Sequence, residues 1–246
     1  MIKEEYTYQM PHTVLYSETD ARGRLSLPSF FALFQEAALL QAEQLGFGET
    51  YCTQEGLMWV LSRLLLEVDT FPHHRDQIRI KTWPKSPRGP FANRDFLLQV
   101  SDGTICARAT SAWLLLNTES LRPQRPQKLF AQYTLDQLAD ALPEAAPKIN
   151  TDETECSREL EVTARYSDLD QNDHVNNTRY VRWFLDCYTP AEIDAVEHLR
   201  FAINYLQAAS YMDRVKLRRC DSDSMSTVYG YLQDDTPTFS ARIQLR

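Results

Sequence analysis

The sequence predicts an α+β protein made of two copies of one unit, each a buried helix followed by antiparallel strands. Three observations predict it. The first is an ordered internal repeat: Tyr16-Ser17-Glu18-Thr19-Asp20 resembles Tyr166-Ser167-Asp168-Leu169-Asp170, an offset of 150 residues. The offset holds without gaps as Phe30 matches Tyr180, Phe34 matches Phe184 and Glu36 matches Asp186. The second is that each copy runs into a helix-period apolar stretch. The third is a set of strand-like runs after each helix.

In the first copy Ser26 suits a helix N-cap and Pro28 its first turn. Phe30, Phe31, Leu33, Phe34, Ala37, Ala38 and Leu40 make that helix apolar on most sides, so it is predicted to be buried, and Gly46 and Gly48 end it. In the second copy Asn176 or Asn177 is the cap candidate, and Pro190 stands at or beyond the end. Strand-like runs follow at residues 59–68, 78–83, 96–100 and 106–117 in the first copy. In the second they fall at 198–206, 215–218, 227–232 and 239–245, with turns at Asp102-Gly103 and Asp234-Asp235. Asp76-Gln77-Ile78-Arg79-Ile80 resembles Asp213-Arg214-Val215-Lys216-Leu217. Residues 118–155 differ: they hold Pro123, Pro126, Pro143 and Pro147 and a short helical pattern at Leu135, Leu138 and Leu142. They read as a linker crossing between a first unit at 1–117 and a second at 156–246. A helix clasped by a curved antiparallel sheet is an α+β layer solution, and two copies would set their sheets side by side.

Composition narrows the function classes. With 246 residues, 43% hydrophobic and 24% charged, the chain is that of a soluble globular protein. A net charge of −8 and a pI near 5.2 argue against a general nucleic-acid binder. The N-terminus lacks the apolar core of a signal peptide, and no run approaches the roughly 18 apolar residues of a membrane span. A cytoplasmic protein is expected. The five cysteines (Cys52, Cys106, Cys156, Cys187 and Cys220) are scattered without a C-x-x-C, so free thiols are expected.

The chemistry concentrates in Tyr166 to Asn177. Asp170, Asn172 and His174 alternate, and in an extended segment alternate side chains point the same way. A carboxylate, an amide and an imidazole on one side, before a helix N-terminus, could build a hydrolytic site. The bland alternative is a polar turn that caps the helix. Asp168-x-Asp170-x-Asn172 also resembles the start of an EF-hand loop. Asp173 stands where that loop needs Gly, and Arg179 where it needs Glu, so no metal is expected. His73-His74 cannot present both rings as ligands one helical turn apart, and reads as surface loop.

The chain resembles the acyl-acyl-carrier-protein thioesterases of plant plastids and their bacterial relatives. The residues that carry this are Ser167-Asp168-Leu169-Asp170-Gln171-Asn172-Asp173-His174-Val175-Asn176-Asn177, followed by Tyr180, Trp183, Leu185 and Asp186. Trp59-Val60-Leu61-Ser62-Arg63, Glu67-Val68-Asp69, Arg94-Asp95-Phe96, Ala109-Thr110-Ser111-Ala112-Trp113 and Asn117 agree independently in the first half. The resemblance implies a tandem hotdog fold, a shared sheet with two long buried helices. It implies hydrolysis of fatty acyl thioesters to free acid and carrier protein, in fatty acid biosynthesis, with no cofactor. It also assigns the first half to acyl-chain binding. One departure stands out. Where plant members carry Glu-Cys on the strand after the signature helix, this chain has Ala208-Ala209, and Cys220 sits 11 residues too late to serve.

Asp170 is therefore expected to activate water, with direct attack by its carboxylate as the alternative; Asn172 orients water or substrate and His174 moves protons. Backbone donors at the following helix start, around Asn176 and Asn177, are the oxyanion candidates. In the first copy Arg22 and Arg24 replace the Asn and His while Asp20 is kept, so one active site per chain is expected, with Asp20 either relict or turn cap. The carrier is acidic, so Arg122, Arg125, Lys128, Arg179 and Arg182 are its docking candidates. Acyl-CoA hydrolysis, or acyl-carrier or fatty-acid binding without catalysis, are the rival functions, and a homodimer is left open.

Overall fold

The structure, a computed structural model, describes residues 6–135, 139–150, 156–222 and 224–245. The first half runs β1 (Tyr8–Thr13), α1 (Leu27–Gln44), α2 (Glu49–Gln54), β2 (Leu57–Val68), β3 (Gln77–Arg88), β4 (Phe91–Val100) and β5 (Ile105–Asn117). The linker carries β6 (Pro123–Gln124) and α3 (Gln127–Phe130). The second half runs β7 (Arg158–Thr163), α4 (Asn177–Asp186), α5 (Pro190–Asp194), β8 (Leu199–Tyr205), β9 (Arg214–Asp221), β10 (Met225–Leu232) and β11 (Pro237–Leu245).

All strands join one antiparallel sheet in the order β1-β3-β4-β5-β2-β8-β11-β10-β9-β7, with β6 on β5. Each half contributes five strands in the same internal order, and the halves meet where β2 pairs with β8, Arg63 opposite Asn204 and Val68 opposite Leu199. This is the tandem arrangement the repeat predicts. The edge strands β1 and β7 escaped the sequence reading. β1 contains Pro11, and β7 is Arg-Glu-Leu-Glu-Val-Thr with its first four residues exposed. Proline and charge suit a sheet edge but erase the alternation that reveals a strand.

The helices fill the inner face. Phe30, Phe31 and Phe34 of α1 are buried, and Phe34 stacks on Phe96 of β4 at 4.8 Å between ring centroids. Phe201 of β8 meets Phe31 of α1 at 5.8 Å and Phe184 of α4 at 4.9 Å, so one ring ties both helices to the junction strand. Ser26 sits at the N-cap of α1 and Pro28 in its first turn as predicted, although the Ser26 hydroxyl pairs with that of Ser29 rather than with backbone.

The repeat is uneven between helix and sheet. Its offset is 150 up to Glu36 and Asp186 but 137 at Asp76 and Asp213, leaving 13 residues of the first half without a counterpart. They lengthen α1 to 18 residues against 10 for α4, and they lead into α2.

The linker lies across the sheet's other face. Leu142, Ala146 and Ile149 pack with Leu65, Ala202, Tyr229 and Tyr231, whereas Leu64 and Leu66 point to the helix side. Asn204 holds the linker twice, accepting from Ile149 N–H at 2.8 Å and donating to the Pro147 carbonyl at 2.8 Å. The helical pattern read at Leu135, Leu138 and Leu142 is not a helix at Leu135 or Leu142, which are buried, and Leu138 lies outside the described residues. The linker's short helix is α3 instead, opened by Pro126.

The expectation of free thiols throughout is corrected: Cys156 and Cys220 form a disulfide. β7 runs beside β9 with Arg158 opposite Arg219, which brings two cysteines 64 residues apart in sequence together. Cys52, Cys106 and Cys187 are free and buried. No helix among the described residues is long and apolar enough to cross a membrane.

Candidate active site

The motif is a closed turn, which corrects the extended reading of Asp170, Asn172 and His174. Asp170 N–H donates to the His174 carbonyl at 2.8 Å, and Asp173 N–H to the Asp170 carbonyl at 3.2 Å. Asp170 Oδ1 accepts from Asn172 N–H at 2.8 Å, an Asx turn. Asp173 takes φ 58°, the left-handed conformation Asp tolerates better than most residues. Leu169 and Val175 pair across the base. Period-2 logic fails here because a five-residue loop reverses the chain.

The first half builds the same turn. Asp20 N–H donates to the Arg24 carbonyl at 2.8 Å, Arg22 N–H to Asp20 Oδ1 at 2.9 Å, and Gly23, in the place of Asp173, has φ 72°. Its side chains serve a different end. Asp20 pairs with Arg24 at 2.8 Å, and Arg24 Nη1 donates to the Val196 carbonyl at 2.5 Å, with Arg22 reaching the Asp194 carbonyl. The duplicate turn thus clamps the end of α5 in the other half. Asp20 is a turn cap and ion-pair partner, one of the two roles left open for it.

In the second half the groups stay free. Asp170 is half-buried, and Asn172 and His174 are exposed. Among the described residues, Asp170 Oδ2, the Asn172 amide and the His174 ring have no hydrogen-bond partner, in contrast to Asp20. A carboxylate, an amide and an imidazole held by backbone bonds but with open functional atoms can accept, orient and return a proton.

The start of α4 closes the turn's other side. Asn176 is the N-cap, its Oδ1 accepting from Thr178 N–H at 3.0 Å and from the Thr178 hydroxyl at 2.7 Å. The polar-turn reading and the catalytic one are therefore compatible. Asn177 Oδ1 is buried without a hydrogen-bond partner among the described residues. Arg179 is committed to structure: it donates to the Ser167 carbonyl and lies 3.6 Å from Asp168. Arg182 is exposed on α4 near Asp186. Arg122, Arg125 and Lys128 are exposed on the linker around β6 and α3, beside the first half.

The Ala208-Ala209 segment does lie against the motif. Val175 N–H donates to the Ala209 carbonyl at 2.9 Å, and His174 pairs with Ser210. Ala209 N–H donates to the Tyr180 hydroxyl at 2.8 Å. Tyr180 is 3% exposed, and burial, with Asp170 and Asp213 nearby, pushes its hydroxyl up to about 12. Cys220 lies at the far end of β9, and burial pushes the Cys52 and Cys187 thiols up to about 11. Neither is a thiolate near neutral pH.

The turn is tied to the first half by Gln171, which donates to Glu49 Oε1 at 3.3 Å, at the start of α2. Two residues before Glu49, Phe47 lines a small apolar pocket partly open to solvent. Its walls include Ala38, Leu39 and Ala42 of α1, Trp59 of β2 and Trp113 of β5. Four of its lining residues (Ala38, Leu39, Ala42 and Phe47) belong to the segment without a counterpart in the second half. One polar residue matters here. Arg94 lines the pocket, donates to Gln41 and, at 3.2 Å, to Thr82, and burial lowers it to about 9. Sequence reasoning missed Tyr180, Glu49 and Arg94 as site neighbours. The change of offset from 150 to 137 was the one signal that pointed at the pocket-forming segment.

A helix-lined antiparallel double unit of this kind defines a tandem hotdog protein. The chain belongs to the acyl-ACP thioesterase family: its N-terminal domain model matches residues 5–133 and its C-terminal domain model residues 151–239. It is 27% identical over 234 residues to oleoyl-acyl carrier protein thioesterase 2 of Arabidopsis thaliana, covering 87% of this chain and 63% of that one. It is 29% identical over 209 residues to dodecanoyl-[acyl-carrier-protein] hydrolase of Cinnamomum camphora, covering 80% and 53%. The chain thus spans between about half and two thirds of these relatives' length. In structure it is similar to an acyl-ACP thioesterase from Bacteroides thetaiotaomicron, with TM-score 0.87, 22% identity and full coverage of both chains. It is also similar to the 12:0-ACP thioesterase of Umbellularia californica, with TM-score 0.84, 22% identity and 98% and 97% coverage.

Proposed function

We propose that this protein hydrolyses fatty acyl thioesters of acyl carrier protein, releasing free fatty acid and carrier thiol. One observation carries the reading. The Asp170–His174 turn keeps its three functional groups unpartnered, and Gln171 ties it to the segment that lines the first-half pocket. Family membership and the carrier-protein hydrolases among its relatives support the substrate class. The first half, 1–117, holds the acyl chain; 118–155 is the linker; 156–246 carries the chemistry. No cofactor is needed.

The reaction follows from the groups present. Asp170 takes a proton from a water oriented by Asn172, and the water oxygen bonds to the thioester carbonyl carbon. Positive potential at the start of α4, with the Asn177 amide beside it, stabilises the oxyanion. The tetrahedral adduct collapses, the carbon–sulfur bond breaks, and His174 protonates the departing thiolate. Water supplies the new oxygen, so atoms and charge balance without a redox partner.

Free-thiol release from acyl-carrier protein tests this. Asp170→Asn is expected to lower kcat by about 10²–10⁴-fold in a folded protein. Unchanged turnover would overturn the role. Ala208 and Ala209 favour a second reading, a carrier or fatty-acid binding protein without catalysis, and that reading predicts tight binding with no thiol release. The same acyl chain on CoA separates carrier preference.

A further inference from the structure

We propose that the apolar patch beside the catalytic turn, Tyr166, Tyr211 and Met212 with Arg165 at its edge, is the surface on which the acidic acyl-carrier protein docks. The inference rests on the proposed function and replaces the linker cations as the docking site. Large apolar side chains are common singly on protein surfaces, but a contiguous group is a binding signal. Tyr166 is 84% exposed, Tyr211 58% and Met212 50%. Met212 N–H donates to the Ala164 carbonyl at 3.0 Å and Arg165 Nη1 lies 3.3 Å from Met212 Sδ, which sets the Arg165-Tyr166 and Tyr211-Met212 pairs side by side. Ser210, next to Tyr211, pairs with His174, so the patch adjoins the catalytic turn.

Charge selects the occupant. Arg165 is exposed, and its guanidinium, unlike its backbone N–H, has no carboxylate partner among the described residues, on a chain of net charge −8. Arg214, two residues beyond Met212, pairs with Glu161 at 3.6 Å with both side chains exposed, a contact that costs little to exchange. Two accessible guanidinium groups around an apolar centre suit a partner that is acidic with apolar side chains between its charges. The first-half turn offers no equal. Leu15 stands where Arg165 does and Arg75 where Met212 does, and the Tyr16 ring packs edge-on against His74 at 5.7 Å. The linker cations stand beside the first half, and Arg179 is spent on Asp168 and Ser167.

The test uses R165E, Y166A and the Y211A/M212A double variant, none of which touches the catalytic groups. Each is assayed with one acyl chain carried on the carrier protein and on free pantetheine, and carrier affinity is titrated separately by fluorescence anisotropy. Expected is a loss of about tenfold or more in kcat/KM and affinity for the carrier, with the pantetheine thioester hydrolysed as by wild type. The loss with R165E should shrink as salt rises. Equal losses on both substrates, no loss with the carrier, or variants that instead dissociate a wild-type dimer in sedimentation would overturn the proposal. Failure of wild type to release thiol from either substrate would refute the hydrolase reading, while the titration still decides the docking surface.

Discussion

Replacing Tyr180 with Phe removes one oxygen from beneath the Ala209 segment that pairs with the Asp170–His174 turn and leaves the ring in place. The ring keeps its contacts with Trp183 at 5.1 Å, Phe239 at 5.3 Å and Tyr205 at 5.7 Å. What is lost is the 2.8 Å acceptor for Ala209 N–H, in a residue buried to 0% exposure. A buried donor left without an acceptor costs about 1–3 kcal/mol. In a protein of this size each kcal/mol lowers Tm by roughly 2–4 °C, so a fall of about 2–12 °C is expected. The loss also reaches function, because Ala209 and Ser210 hold Val175 and His174 in the turn. Calorimetry of the two proteins at neutral pH, with free-thiol release at 25 °C, measures both effects. A second signature comes from proton linkage. The hydroxyl is raised from 10 to about 12, so its contribution is full below pH 10 and is lost as pH rises toward 12. The phenylalanine variant should therefore lose less Tm than wild type across that window. Equal Tm values at neutral pH and identical alkaline slopes would refute the reasoning.

Three further outcomes follow from the same geometry. Asp170→Asn is expected to abolish most turnover while leaving Tm close to wild type, since its Oδ1 contact with Asn172 N–H can be kept by an amide oxygen, and kinetics with calorimetry check both. Ala42→Leu places added methyl groups into the pocket beside Phe47 and should shift the released products toward shorter chains, read by gas chromatography of the fatty acids; an unchanged profile would separate this pocket from the acyl site. Glu192 is held down to about 2, chiefly by the hydrogen bond from Arg219, so its contribution is present above pH 4.5 and lost as pH falls toward 2. Arg219→Gln should lower Tm at pH 6 and flatten its fall across that acid window, measured by thermal unfolding at a series of pH values.

Much of the fold was legible because repeats and apolar periodicity are local. Phe30, Phe34, Tyr180 and Phe184 could be placed on equivalent helix faces from spacing alone. The edge strands β1 and β7 were not legible, since proline and charge at a sheet edge remove the period-2 signal. The site residues were legible as residue types but not as geometry. A chain reversal at Asp173 depends on a left-handed φ that Gly23 signals clearly in the first copy and Asp173 signals weakly in the second. The Cys156–Cys220 bond was hidden because nothing across a sequence separation of 64 states that β7 will lie beside β9.

The sequence by itself determined the duplication, the helix-and-strand order of each half and the single copy of Asp170, Asn172 and His174, because each of these is written within a few neighbouring residues. Tertiary structure alone decided that Glu49 meets Gln171, that Tyr180 supports Ala209, and that the extra 13 residues of the first half wall a pocket. Those contacts join segments up to about 120 residues apart, and only the pairing of β2 with β8 brings the two halves into register.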